Sequence, residues 1–145
     1  IPNRRLTMPD PIRSIVNTSS APQPVPAYSQ AVKVSGGSLL FVSGQVAADT
    51  NGNVVGIGDA AAQTKQALSN IQAILANQGT AMTDIVEFTT YRVGRESVAG
   101  YMAGRSEVFP DMYPEGDFPA NTVLVISGLA REDFLVEISA IAAMP

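Results

Sequence analysis

The chain contains neither cysteine nor histidine. The first absence excludes disulfides, thiolate nucleophiles and thiolate metal ligands. The second removes the commonest general base and the commonest transition-metal ligand. Any chemistry therefore falls to carboxylates, hydroxyls, amides, lysine, arginine or the backbone. A metal would need an all-oxygen shell, and no cluster of that kind stands out. The expectation is a protein that uses neither a metal nor an organic cofactor.

Charge is scarce as well. Asp, Glu, Lys and Arg make up 15 % of the residues, against about 25 % in ordinary soluble domains. Two readings fit: surface buried against another subunit, or a monomer clothed in neutral polar residues. The nine lysines and arginines form no cluster beyond Arg4-Arg5, the net charge is −4, and the pI is near 4.6. Such a chain offers no basic face to neutralise phosphates, so nucleic acid is not an expected partner. No apolar run reaches the roughly 18 residues of a membrane span. Residues 1–13 lack the apolar core of a signal peptide, and the expectation is a cytoplasmic protein.

What is present suffices for one domain. Hydrophobic residues account for 46 % of 145 positions, enough to fill a core. Six of the ten prolines fall within residues 1–27. Proline fixes φ and donates no hydrogen bond, so residues 1–26 should form an extended or irregular arm. The domain proper should then span 27–145.

Within the domain, Tyr28–Val34 alternates loosely, Ser35-Gly36-Gly37-Ser38 is a turn, and Leu39–Gly44 is a short apolar run. Together they read as a β-hairpin. Asn51-Gly52-Asn53 is a second turn signal. Asp59–Gln78 is the clearest helix. Asp59 can cap its N-terminus. Ala67, Leu68, Ile71, Ile74 and Leu75 form an apolar face, with Gln63, Lys65, Gln66, Ser69 and Gln72 opposite. Gly79 suits the left-handed residue that follows many helices. Ile85–Val93 is β-branched and aromatic, hence a strand. Glu96–Phe109 predicts a helix with Val98, Tyr101, Met102 and Val108 on its buried stripe, although Gly100 and Gly104 weaken it. Residues 110–119 read as a loop, Thr122–Ile126 as a strand, and Phe134–Ala142 as the last strand. The closing strands are expected to be antiparallel.

Four stretches carry a resemblance: Pro26-Ala27-Tyr28-Ser29-Gln30-Ala31-Val32, Phe41-Val42-Ser43-Gly44-Gln45, Gln63–Gly79 with Leu68-Ser69-Asn70-Ile71 inside it, and Pro119-Ala120-Asn121-Thr122 followed by Val136-Glu137-Ile138-Ser139-Ala140-Ile141-Ala142. In this order and spacing, over about residues 24–143, they resemble the RidA/YjgF family of reactive enamine/imine deaminases. The resemblance implies an α+β, chorismate-mutase-like fold: a mixed sheet with two helices on one face. It also implies a homotrimer with a barrel-like centre and ligand clefts between subunits. Active members hydrolyse enamines and imines to a 2-keto acid and ammonia.

Carried onto this sequence, the resemblance makes Glu137 the catalytic carboxylate that positions or activates water. It makes Tyr28, Ser43, Gly44, Asn121 and Val123 the binding residues. Asn121 stands where the resemblance expects an arginine that clamps the substrate carboxylate, and Ser139 replaces a second acidic position. An asparagine amide donates hydrogen bonds but brings no charge. Arg92, Arg95, Arg105 and Arg131 are the arginines nearby in sequence that could compensate, with Arg131 reading as a solvated turn residue. Tyr101 and Phe109 read as core rather than as ligand-stacking rings.

Each site residue also has a plain reading. Glu137 could be held in a structural ion pair, Tyr28 could cap the core, and Ser43-Gly44 could simply end a strand. Two functions follow. One is hydrolysis of a reactive C–N bond in a small metabolite at an intersubunit cleft. The other is a non-catalytic trimer that holds a small ligand or serves regulation. Ribonuclease activity, attributed to some members, fits poorly with an acidic chain that has no histidine.

Overall fold

The structure is a computed structural model that describes residues 10–24 and 27–145. Of the six prolines of the expected arm, Pro2, Pro9 and Pro26 lie outside the described residues and Pro11, Pro22 and Pro24 within them. Part of the arm is regular: β1 (Ile12–Val16) pairs antiparallel with β2 (Ala31–Ser35). Arg13 fastens this ribbon to the domain, its Nε donating to the Ile85 carbonyl at 2.8 Å and its Nη2 to the Asp117 carbonyl at 2.9 Å.

The main sheet contains β3 (Ser38–Val46), β4 (Ile85–Val93), β5 (Ala120–Ile126) and β6 (Val136–Met144) in the order β3-β6-β4-β5. β6 runs antiparallel to both neighbours, whereas β4 and β5 are parallel. Helix α1 (Ala60–Asn77) carries the chain from β3 to β4, and α2 (Ser97–Met112) carries it from β4 to β5. Both crossovers step the same way across the sheet. Crossovers of one hand then place both helices on one face. This is the expected α+β architecture.

The core lies between that face and the helices. Val42, Phe88, Ile138 and Ala140 meet Leu68, Ile71 and Leu75, all buried. Asp59 caps α1 by accepting from the Ala62 amide at 3.0 Å, and Gly79 follows the helix at φ 71°. The helices touch where α2 has its glycines: a Cβ on Gly104 would lie 2.5 Å from the Ala61 carbonyl oxygen. The glycines that weaken α2 by propensity are thus what let it close on α1. No helix among the described residues is long and apolar enough to cross a membrane.

Three expectations need correction. β2 and β3 do not form a hairpin: the chain bends at Gly36 and Gly37, both at positive φ, but β2 pairs with β1 and β3 with β6. The closing strands β5 and β6 do run antiparallel to each other, with β4 between them. The segment after Phe109 is not loop at once, since α2 continues through Pro110 to Met112. Gln63, assigned to the polar face of α1, is fully buried. Its Nε2 donates to the Gly56 and Asp133 carbonyls at 3.1 and 2.7 Å, and its Oε1 accepts from the Leu135 amide at 2.8 Å. The spent hydrogen-bond capacity makes the burial tolerable.

Candidate functional site

Strand alternation divides the six expected site residues into two groups. Even-numbered residues of β6 face the helices, so Glu137, Ser139 and Ile141 face away, onto the side of the sheet opposite α1 and α2. On β5 the register pairs Asn121 with Phe88 and Val123 with Thr90, both on the helix side. Within one protomer, therefore, Glu137 and Asn121 lie on opposite faces.

The first group sits at an irregularity of the β3–β6 ladder. Val42 pairs with Ala140 and Gln45 with Ile138, so Ser43 and Gly44 together oppose a single residue. This is a β-bulge, a device that re-aims side chains and often lies beside functional sites. The bulge brings Gly44 under Glu137: a Cβ on Gly44 would fall on the carboxylate, 2.8 Å from Cδ and 2.9 Å from Cγ. Only glycine leaves room for the acid in this pose. Opposite Glu137 on the next strand is Tyr91. Among the described residues Glu137 forms no ion pair. Further along the same face is a shallow cavity of about 240 Å³, with Ser43, Glu87, Thr89 and Ser139 but not Glu137 in its walls.

The second group lines a cavity of about 270 Å³ on the helix side, which Tyr28, Asn121 and Val123 share with Arg92, Tyr101 and Arg105. Tyr28 is brought there by its neighbour: Ser29 donates from Oγ to the Phe118 carbonyl at 2.6 Å and from its amide to the Pro119 carbonyl at 3.1 Å. The Asn121 amide is held in one orientation. Its Oδ1 accepts from the Thr90 hydroxyl at 3.1 Å, and its Nδ2 donates to the Tyr101 hydroxyl oxygen at 3.2 Å.

Arg92 and Arg105 stack against the Tyr101 ring, with guanidinium carbons 5.0 and 5.5 Å from its centre. Burial pushes the Arg92 pKa below its ordinary value; Tyr101 opposes the shift and the like charge of Arg105 adds to it. Arg131 instead lies exposed, 3.9 Å from Asp133 and over the Phe134 ring. Tyr101 and Phe109 are buried, as expected of core residues, but Tyr101 also turns its hydroxyl to Asn121. Sequence reasoning named Arg92 and Arg105 only as candidates, because no spacing signal links a strand residue to a residue of the following helix. Among the described residues there is no group of three or more acidic side chains suited to a metal.

Comparison with known proteins places the chain. The family model described as endoribonuclease L-PSP matches residues 18–144. The chain belongs to that family, the RidA/YjgF or Rid family. Among curated Rid proteins it is 33 % identical to the 3-aminoacrylate deaminase RutC of Acinetobacter baylyi, over 90 % of this chain and 97 % of that one. It is 34 % identical to the 2-iminobutanoate/2-iminopropanoate deaminase of Rattus norvegicus, over 90 % of each. A solved Rid-family structure from Yersinia pestis superposes with a TM-score of 0.82 at 34 % identity, covering 91 % of this chain and 98 % of that one. Relatives of this kind support imine deamination at the level of the family.

Proposed function

We propose that this Rid protein hydrolyses the C=N bond of small imines, and of enamines once they tautomerise, releasing ammonia. The named activities of the Acinetobacter and rat relatives support the reaction class. The observation that carries it here is Glu137, an acid without an ion pair among the described residues, held over Gly44 on the sheet face opposite the two helices. The carboxylate takes a proton from water as the oxygen adds to the imine carbon. That proton goes to nitrogen to give a carbinolamine; the carboxylate then takes the proton of its hydroxyl and passes it to nitrogen as the C–N bond breaks, leaving a carbonyl and ammonia. Ser43 and the backbone of the bulge orient the adduct.

The complete site in this reading forms between protomers. Glu137 and Asn121 meet only if the β5 edge of one copy approaches the β3 edge of another. A ring of three such copies is the proposed assembly. Support comes from apolar side chains left in water: Leu39 and Phe41 are 50 % and 70 % exposed, and Val125 on the β5 edge is 43 % exposed. Uncovered apolar faces and unpaired strand edges mark association surfaces.

The test is ammonia release from imines generated in place by an amino-acid oxidase. Wild-type protein should accelerate release, and Glu137→Gln should lower the rate by about 10²- to 10⁴-fold. If wild type, Glu137→Gln and buffer release ammonia alike, hydrolysis is refuted, and a trimer that only holds a ligand is what remains.

A further inference from the structure

An asparagine side chain carries an amide carbon that the next backbone nitrogen can attack, and the fold ties down most of those in this chain. Asn17 accepts from the Gln30 amide, and Asn77 accepts from Gln78 Nε2. Asn53 donates to Asp49 Oδ2 at 3.2 Å. Asn70 donates to the Val46 and Ala48 carbonyls, both at 3.0 Å. Asn121 is held by Thr90 and Tyr101. Asn51 differs from all of these. Its backbone N–H donates to Asp49 Oδ1 at 2.9 Å, but its side chain makes no hydrogen bond among the described residues. It is exposed, in the loop that the Ala48–Val54 bridge closes.

The following residue differs as well. Thr18, Val54, Ile71, Gln78 and Thr122 come after the other described asparagines, and each screens its own nitrogen with a side chain. Gly52 comes after Asn51. It has φ 82°, and a Cβ built on it would meet nothing within 4 Å. Without a Cβ its nitrogen is open to approach, and its backbone moves readily between conformations. One restraint remains, the hydrogen bond from the Gly52 N–H to the Asp49 carbonyl at 3.0 Å. That bond lies in an exposed turn, where local opening is easiest.

We propose that Asn51 is a site of self-modification, closing on Gly52 to a succinimide and reopening as aspartate or isoaspartate. The Gly52 nitrogen, having lost its proton to water, attacks Asn51 Cγ. The new N–C bond replaces the bond to the side-chain nitrogen, which takes up a proton and leaves as ammonia. Water then opens the ring. Attack at the side-chain carbonyl gives aspartate; attack at the main-chain carbonyl leaves the chain running through Cβ and Cγ as isoaspartate. Isoaspartate lengthens the main chain by one carbon inside a closed turn. There the Asp49 N–H donates to the Asn53 carbonyl, and Asp49 Oδ1 accepts from the Asn53 N–H, both at 2.9 Å. Asp49 and Thr50 share a cavity wall with Gly44, so the altered turn adjoins the bulge.

The test holds the folded protein at mildly alkaline pH until a free peptide of residues 48–55 has converted. Digestion and fragment mass spectrometry then read each asparagine. Asn51 should show the mass change of NH exchanged for O at least about 10-fold faster than any other described asparagine, a difference of about 1.4 kcal/mol in barrier. An isoaspartyl methyltransferase should label the same peptide. Gly52→Ala should slow the change about 10-fold or more. Asn51→Gln, whose ring would need one more atom, should abolish the label, and it serves if Gly52→Ala does not fold. An unchanged Asn51 in the folded protein, earlier conversion of another described asparagine, or undiminished methyl labelling of Asn51→Gln would each overturn the proposal.

Discussion

Replacing Gly44 with alanine separates the role of Glu137 from its mere presence. The added Cβ would sit 2.8 Å from the Glu137 Cδ and nearer still to Oε1. Ordinary carbon–carbon contact begins at about 3.5 Å, so the carboxylate must retreat by roughly 1 Å. What is struck is the far end of a flexible side chain on the face opposite the helices, not backbone. The stability cost should therefore fall at or below the lower end of overpacking, about 1 kcal/mol or less. Catalysis is less forgiving: a displacement of about 1 Å can cost on the order of 10²-fold in rate. Urea unfolding and ammonia release, measured on the same preparation, give both numbers. The expected result is a nearly unchanged midpoint with a rate down by about 10²-fold. A Gly44→Ala protein with wild-type rate would refute the idea that the bulge sets the position of the acid.

Two stability predictions follow from the packing. Gly104→Ala gains helix propensity of about 1 kcal/mol but drives a methyl into the Ala61 backbone, with Cα at 3.0 Å. Overpacking of about 1–3 kcal/mol should win, and a thermal midpoint at or above wild type would contradict the close helix contact. Gln63→Leu leaves the Leu135 amide and two carbonyls without their partner. A loss of about 3 kcal/mol in urea unfolding is expected, and a loss below about 1 kcal/mol would mean water replaces the side chain.

The elements legible in the sequence were those fixed by local chemistry. Helix α1 announces itself through Ala67, Leu68, Ile71 and Leu75 at helical spacing, a capping Asp59 and a terminal Gly79. β4 and β6 announce themselves through β-branched and alternating residues. What stayed illegible depends on partners distant in the chain. Gly36 and Gly37 mark a break between β2 and β3 but not which strands each pairs with, and the arm strand β1 takes the place expected of β3. Gln63 has the composition of a surface residue, and only the carbonyls of Gly56 and Asp133 explain its burial. The pairing of Gly44 with Glu137 is contained in a bulge, which no sequence pattern here marks. The resemblance brought Glu137 and Asn121 to notice together, yet their placement on opposite faces needed the register of β5 on β4. Arg92 and Arg105 converge on Tyr101 only because α2 folds back over its preceding strand.

Subunit complementation tests the two-protomer site most directly. Glu137→Gln and Asn121→Leu proteins are prepared separately, unfolded, and refolded together in equal amounts. Each alone should be nearly inactive. In randomly mixed trimers about a quarter of the interfaces join an intact Glu137 face to an intact Asn121 face. Ammonia release should therefore recover to about a quarter of the wild-type rate. Mixed trimers that form but release ammonia no faster than the two parents would contradict a site shared between protomers.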